Sequence, residues 1–213
     1  ELAGRFAEYL IQNYNTNADV HWLLDYNEIY IMFLANPDGR KEAEIGQEWR
    51  KNTNENYCGP TTPDRGADLN RNFDFYWACC EGSDFYPCGE TYHGPTAASE
   101  PEVTAIQGVM VSLFPDQRED SLSAPAPEDA TGVYIDLHSY GGDVMWSWGF
   151  TNTNAPNNAD LQTLGRKFAF YNGYYPHKSY TLYVTDGSTE DYIYGRLGVA
   201  GYCIEVGTEF FEE

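Results

Sequence analysis

The chain has 213 residues, 42% of them apolar and 16% aromatic, with 33 acidic side chains against 12 basic ones and a formal net charge of -21. That length and apolar share suit one domain with a real core, and a charged share of 21% is too low for a disordered polyelectrolyte. The acidity argues against a nucleic-acid partner, because phosphate binding needs a basic stripe, and no apolar run approaches the roughly 20 residues of a membrane helix.

Residues 1–12 place Leu2, Phe6, Tyr9 and Leu10 at helical spacing, and the polar stretch 13–19 ends that helix. The periodicity begins at Glu1 with no capping residue before it, and the chain stops soon after its last apolar run, so both edges read as cut. The apolar run 29–34 predicts a strand buried on both faces, followed by a tight turn at Asn36-Pro37-Asp38-Gly39. Residues 40–98 show no sustained period and predict a long loop. Ser99 and Glu102 around Pro101 predict a capping box, opening a helix that carries Val103, Ile106, Val109, Met110 and Leu113. A polar, Pro-rich surface loop follows over 117–132. Residues 133–137 predict a second buried strand with His138 at its exit, and 159–171 a helix closed by Gly173. A short helical turn over 188–194 leads to a buried strand over 200–206. Strands alternating with helices predict an α/β fold with a mainly parallel sheet, in a single domain spanning 1–213 without repeats.

Four of the five cysteines cluster (Cys58, Cys79, Cys80, Cys88), and no spacing matches a zinc ribbon or a redox Cys-x-x-Cys motif. A disulfide stapling this aromatic, Gly-rich loop fits better and implies an oxidising compartment. Cys203, in an apolar run, reads as a buried free thiol.

Two polar groups stand where buried strands run out, which is where open α/β sheets bind ligands. A strand-end His138 by itself is more often structural than a ligand. Glu205 is harder to dismiss, since a carboxylate in an apolar strand is costly unless paired or functional. In the segment 68–74, Arg71 beside Asn70 can present a bidentate fork and an amide to a carboxylate, with Arg50 upstream; a solvated charged loop is the plain alternative. His21, His93 and His177 read as structural or exposed.

The segments Asn36–Gly39 (Asn-Pro-Asp-Gly), Glu48–Lys51 (Glu-Trp-Arg-Lys), Asp68–Asp74 (Asp-Leu-Asn-Arg-Asn-Phe-Asp), Glu90–Pro95 (Glu-Thr-Tyr-His-Gly-Pro), Ile135–Tyr140 (Ile-Asp-Leu-His-Ser-Tyr) and Tyr202–Glu205 (Tyr-Cys-Ile-Glu) occur in the order seen in zinc metallocarboxypeptidases. The chain resembles the pancreatic A/B type, and more closely its bacterial secreted members. The resemblance implies a three-layer αβα domain around a mixed, mainly parallel sheet, here without its first strands and last helix. It implies one zinc ion, with His138 as the third metal ligand and Glu205 as the general base for a metal-activated water. Arg50 matches the residue that stabilises the oxyanion, and Asn70 and Arg71 the clamp on the substrate's C-terminal carboxylate. Tyr183 matches the tyrosine that closes over the substrate, and Tyr140 a subsite tyrosine. Glu190 aligns with the base of the pocket for the last side chain, where an acid favours Lys or Arg; a solvated acid capping the turn at Ser188 is the alternative. Cys58 and Cys88 take the positions of a family disulfide, while the bonding of Cys79 and Cys80 is left open.

One departure matters. The family's first two zinc ligands come from a His-x-x-Glu motif, and the residues three beyond His21, His93, His138 and His177 are Leu24, Thr96, Gly141 and Tyr180. Two further ligands are therefore expected upstream of Glu1, and this fragment alone is expected to be inactive. The expected partners are peptide or protein C-termini, with no nucleic acid and no membrane, for an extracellular monomer. A non-catalytic module binding C-terminal peptides, or a peptidoglycan peptidase or deacylase of the same fold, are the rival readings.

Overall fold

The computed structural model describes residues 2–209; Glu1 and residues 210–213, where the two cut edges were read, lie outside the described residues. The chain divides into two compact units, residues 1–37 and 38–213.

In the first unit, α1 (Leu2–Asn13) and α2 (Ala18–Tyr26) pack together. Asn17 caps α2, its side chain accepting from the N–H groups of Asp19 at 2.9 Å and Val20 at 3.2 Å. Leu10 and Val20 are buried, whereas Leu2, Phe6 and Tyr9 on the predicted apolar stripe stay exposed. The strand expected over 29–34 is absent: the segment carries no helix or strand and has no ladder partner among the described residues, and Tyr30, Met32, Phe33 and Leu34 are exposed. An apolar, β-rich run supplies propensity, but a strand also needs a neighbour to receive its backbone hydrogen bonds. The expected tight turn is instead the start of α3 (Pro37–Glu44), with Pro37 at its first position, where a missing N–H costs nothing.

The second unit is built on a four-stranded sheet of β1 (Val133–His138), β2 (Asp143–Trp146), β3 (Tyr175–Lys178) and β4 (Ala200–Glu205), in the spatial order β1-β4-β2-β3. β1 runs parallel to β4 and β2 parallel to β3, while β2 is antiparallel to β4. Side-chain alternation along β4 then assigns the layers. Tyr202 points to the face of α5 (Asn158–Asn172), donating its hydroxyl to the Leu161 carbonyl at 2.9 Å. Gly201 points the opposite way, where a Cβ would lie 2.6 Å from Ile193 of α6 (Thr189–Leu197). Helices thus cover both faces, in three layers. The sheet is mixed, as the resemblance implies.

The core gathers Trp146, Trp148, Phe73, Phe75, Ile193, Tyr194 and Tyr202, with Val103, Ile106 and Met110 from α4 (Pro101–Leu113). The capping box expected at α4 does not form. Glu100 holds the cap position, and Ser99 Oγ donates to the Glu100 carboxylate at 2.8 Å instead of accepting a helix N–H. β1 is also not buried on both faces: Val133, Ile135 and Leu137 are exposed while Tyr134, Asp136 and His138 are half-buried, because β1 is an edge strand of this sheet and α6 covers one side only. Residues 45–100 carry no helix or strand beyond the one-turn 3-10 segment Leu69–Arg71 and an isolated bridge, as expected of a loop.

Candidate active site

His138 and Glu205 end the parallel strands β1 and β4 and are register partners. Two-residue alternation brings Asp136 and Cys203 onto the same face, toward α6. His138 Nε2 lies 2.9 Å from Asp136 Oδ2, and Asp136 in turn accepts from the Thr189 hydroxyl. This fixes the tautomer: Nε2 carries a proton toward the carboxylate and Nδ1 is the nitrogen left to hold a metal. Burial disfavours the imidazolium, but Asp136, with Glu205 and Glu190 farther off, outweighs it and raises His138 to about 9. Asp136 itself is held below the ordinary carboxylate range: burial raises it, and the charge and hydrogen bond of His138 more than reverse that. Burial raises Glu205, partly offset by His138 and Arg50.

The ligand atoms of His138, Cys203 and Glu205 lie within 4.8 Å of one another. Burial, with Glu190, Asp136 and Glu205 nearby, pushes the Cys203 thiol well up. The Glu205 Oε2 atom is buried without a hydrogen-bond partner. An imidazole nitrogen backed by a carboxylate, beside an unsatisfied carboxylate oxygen, is a donor set that fits one corner of a zinc site.

The loop 48–74 delivers the cations. Its turn around Asn52 is pinned by Ala67, whose N–H donates to Asn52 Oδ1 at 2.8 Å and whose carbonyl accepts from the Asn52 N–H at 3.0 Å. Arg50 donates from Nε and Nη2 to Asp68 Oδ2 at 3.0 and 2.8 Å. Asp68 Oδ1 receives the Asn70 N–H at 3.1 Å, which starts the Leu69–Arg71 turn. Burial would raise Asp68, yet Arg50 and Arg71 hold it below the usual range, and its charge in turn raises Arg50. Asn70 Oδ1 receives the Thr189 N–H at 2.8 Å. Arg71, only 2% exposed, donates Nε to the Gly82 carbonyl at 3.1 Å and Nη1 to the Asn70 carbonyl at 2.7 Å.

These groups meet in one cavity of about 400 Å³, lined by Arg50, Asn70, Arg71, His138, Tyr140, Tyr183, Glu190 and Glu205 among others. Every site residue singled out from the sequence therefore borders the same space. Tyr140 and Tyr183 are exposed at the rim, and the Tyr183 ring centre lies 5.9 Å from the Arg71 guanidinium carbon. Glu190 is 3% exposed and lines the cavity, so it is no solvated cap. Sequence reasoning missed Asp68, Asp136 and Thr189, which hold Arg50, His138 and Asn70 in place, and Cys203 in the wall. For Asp136 and Cys203 the signal was available, two residues before His138 and Glu205 on the same strands.

The remaining histidines sit elsewhere. His21 stacks on Tyr14 and faces Asp25 at 3.1 Å, His93 is packed among Trp77, Phe85 and Tyr92, and His177 meets Asp143 at 3.0 Å. The Cys58–Cys88 disulfide is present, and Cys79 pairs with its neighbour Cys80, leaving Cys203 free and buried.

The zinc carboxypeptidase family model matches residues 1–212, and the chain belongs to that family. It is 30% identical over 216 residues to a zinc carboxypeptidase of Saccharothrix mutabilis subsp. capreolus, covering 97% of this chain and 46% of that protein. It is 30% identical to zinc carboxypeptidase A 1 of Anopheles gambiae, covering 90% and 42% of the two chains. Among solved structures, thrombin activatable fibrinolysis inhibitor superposes with a TM-score of 0.79 at 26% identity, over 98% of this chain and 50% of the other. The chain thus spans about half the length of the relatives it matches.

Proposed function

We propose that this chain supplies the catalytic base and the carboxylate pocket of a zinc-dependent exopeptidase that removes C-terminal residues from peptides and proteins. The observation that carries the reading is the single cavity in which a metal-competent imidazole, a buried carboxylate and two guanidinium groups converge.

His138 Nδ1, with two ligands from outside this chain, would hold the zinc ion, which would supply Lewis acidity toward water and the scissile carbonyl. Glu205 Oε2 takes the proton from the attacking water and passes it to the leaving amine; burial, by raising its pKa, brings it closer to that task. Arg50, its charge secured by Asp68, faces the negative charge that develops on the carbonyl oxygen. Arg71 keeps guanidinium donors beyond its two internal bonds for the substrate carboxylate, with the Asn70 side chain beside it. An internal peptide bond brings no carboxylate to that position, hence exopeptidase action. Tyr183 closes the rim over the bound residue, and Tyr140 borders the next one.

The pocket favours a basic last residue. Glu190 Oε2 and the hydroxyls of Ser179, Thr185 and Ser188 are buried oxygens that lack partners among the described residues, and all four residues line the cavity. Such acceptors are costly to leave unmade and match the N–H-rich head of Lys or Arg. Glu190→Ala is expected to lower the ratio of kcat/KM for C-terminal Lys over C-terminal Phe peptides by at least about tenfold, the scale of one charged hydrogen bond. An unchanged ratio overturns the preference. The 213 residues alone are expected to bind zinc weakly and to turn over no peptide. One tightly bound equivalent with turnover, by metal analysis and peptide assay, contradicts this. The Cys58–Cys88 and Cys79–Cys80 disulfides support an extracellular setting, and no helix of the described residues is long and apolar enough to cross a membrane.

A further inference from the structure

The loop 79–83 touches both sides of the carboxylate pocket, and no step of the mechanism above uses it. Its Gly82 carbonyl accepts from Arg71 Nε at 3.1 Å. The N–H groups of Cys80 and Gly82 both donate to Asp186 Oδ2 at 3.1 Å, and Ser83 Oγ donates to Asp186 Oδ1. Asp186 is 1% exposed, and it stands between Tyr183 at the rim and Glu190 in the pocket. Gly82 approaches so closely that an added Cβ would lie 2.6 Å from the Thr185 carbonyl carbon. Tyr76, Ala78 and Glu81, around the Cys79–Cys80 pair, take left-handed φ values of 46, 49 and 60°. Side chains pay a conformational penalty there, so the loop relies on tethers to keep this path. Its tether is the Asp186 carboxylate, and the disulfide between neighbours Cys79 and Cys80, of which Cys79 is exposed, restricts the backbone at its start.

We propose that the loop 79–83, locked by the Cys79–Cys80 disulfide and keyed into Asp186, is a positioning element that aims Arg71 at the substrate carboxylate, and that opening the disulfide weakens substrate binding. Asp186 is a positioning residue: it touches no reacting atom and acts through Gly82 on Arg71. A dithiol reductant opens the device by putting two electrons and two protons into the Cys79–Cys80 bond, which becomes two thiols while the reductant closes to its own disulfide. The proposal rests on Arg71 gripping the C-terminal carboxylate, as argued above.

The test measures binding of Nα-acetyl-arginine by calorimetry, and KM and kcat on a C-terminal Arg peptide, in the zinc-loaded longer protein that also carries the two further metal ligands. In Asp186→Ala, Kd and KM are expected to rise about tenfold, the scale of one weakened charged hydrogen bond, with kcat within about twofold. Asp186→Asn is expected to restore most of the affinity, because its amide oxygen accepts both N–H groups and its NH2 can donate to Ser83 Oγ. Dithiol treatment is expected to raise KM in the wild type but not in Cys79→Ser with Cys80→Ser, which is already weakened; this separates the pair from Cys58–Cys88. Unchanged Kd and KM in Asp186→Ala, or a fall in kcat alone, overturns the proposal, even where thermal stability drops. Arg71→Ala separates the two readings. If it leaves Nα-acetyl-arginine binding intact, the carboxylate clamp itself fails; if it abolishes binding while Asp186→Ala and the double serine variant bind as the wild type, only the positioning loop fails.

Discussion

His138 holds its place through Asp136, and the pair shows how one side chain sets the chemistry of the next. With Nε2 committed to Asp136 at 2.9 Å, Nδ1 is the nitrogen left for the proposed metal. Asp136→Asn removes the charge behind the ring and is expected to weaken zinc binding about 10- to 100-fold in a chelator competition; an unaltered zinc Kd contradicts the assignment of Nδ1. Glu205 has a different task. Glu205→Gln in the zinc-loaded longer protein that carries the two further ligands is expected to lower kcat by about 10²–10⁴ while zinc content stays the same. Loss of metal along with activity shows that the carboxylate is a ligand and not a base. At this scale the sequence was most legible where chemistry is expensive. A carboxylate inside the apolar run Gly201–Val206 and a histidine leaving a strand stood out because burial of such groups demands a reason. Asp68 and Thr189 did not stand out, since acids and hydroxyls in loops have many uses and their partners lie far along the chain.

Among the elements, α6 links pocket and core. It carries Glu190 into the cavity and, one residue on, buries Asp191, which accepts the Gly149 N–H on both oxygens (3.1 and 2.9 Å) and the Phe150 N–H at 3.3 Å. Burial, with Glu190 adjacent, nevertheless pushes Asp191 up from 3.8 to about 8. A group raised in the folded state contributes fully below its unfolded value, and that contribution is lost as pH rises toward its folded value. Between about pH 4 and pH 8 the Asp191 contribution therefore declines. The difference in urea midpoint between wild type and Asp191→Asn is expected to shift against the wild type from pH 5 to pH 8. A pH-independent difference contradicts the raised value. Helix α6 itself was visible as a turn at Ser188 but runs on to Leu197, because Gly195 makes room for the Phe75 ring and Gly198 closes the helix at φ 71°. Strands β2 and β3 were not legible: each is four residues long and carries no alternation that survives its flanking glycines and turns. The run 29–34 misled in the other direction, since its apolar residues promised a strand for which the described residues offer no ladder.

For the molecule as a whole, the fold class was legible from alternating elements and the site from spaced motifs, because a parallel pair of strands must release its ligand-binding residues at one end. What periodicity could not supply was the long loop 45–100, whose path is set by buried polar groups. Glu100, fully buried, receives the Asn52 and Asn54 amides at 2.7 and 3.0 Å and the Tyr57 hydroxyl at 3.0 Å. That network brings Arg50 and Arg71 to the strand ends, where the proposed recognition of a free C-terminus rests on them. The most direct measurement uses the zinc-loaded longer protein that carries the two further ligands, and compares kcat/KM for a peptide ending in arginine with that for the same peptide ending in arginine amide. The acid is expected to be cleaved at least about 100-fold faster, the scale of a charge-assisted fork left unpaired, and Arg71→Ala is expected to erase the difference. Equal cleavage of acid and amide by the wild type would contradict the carboxypeptidase reading.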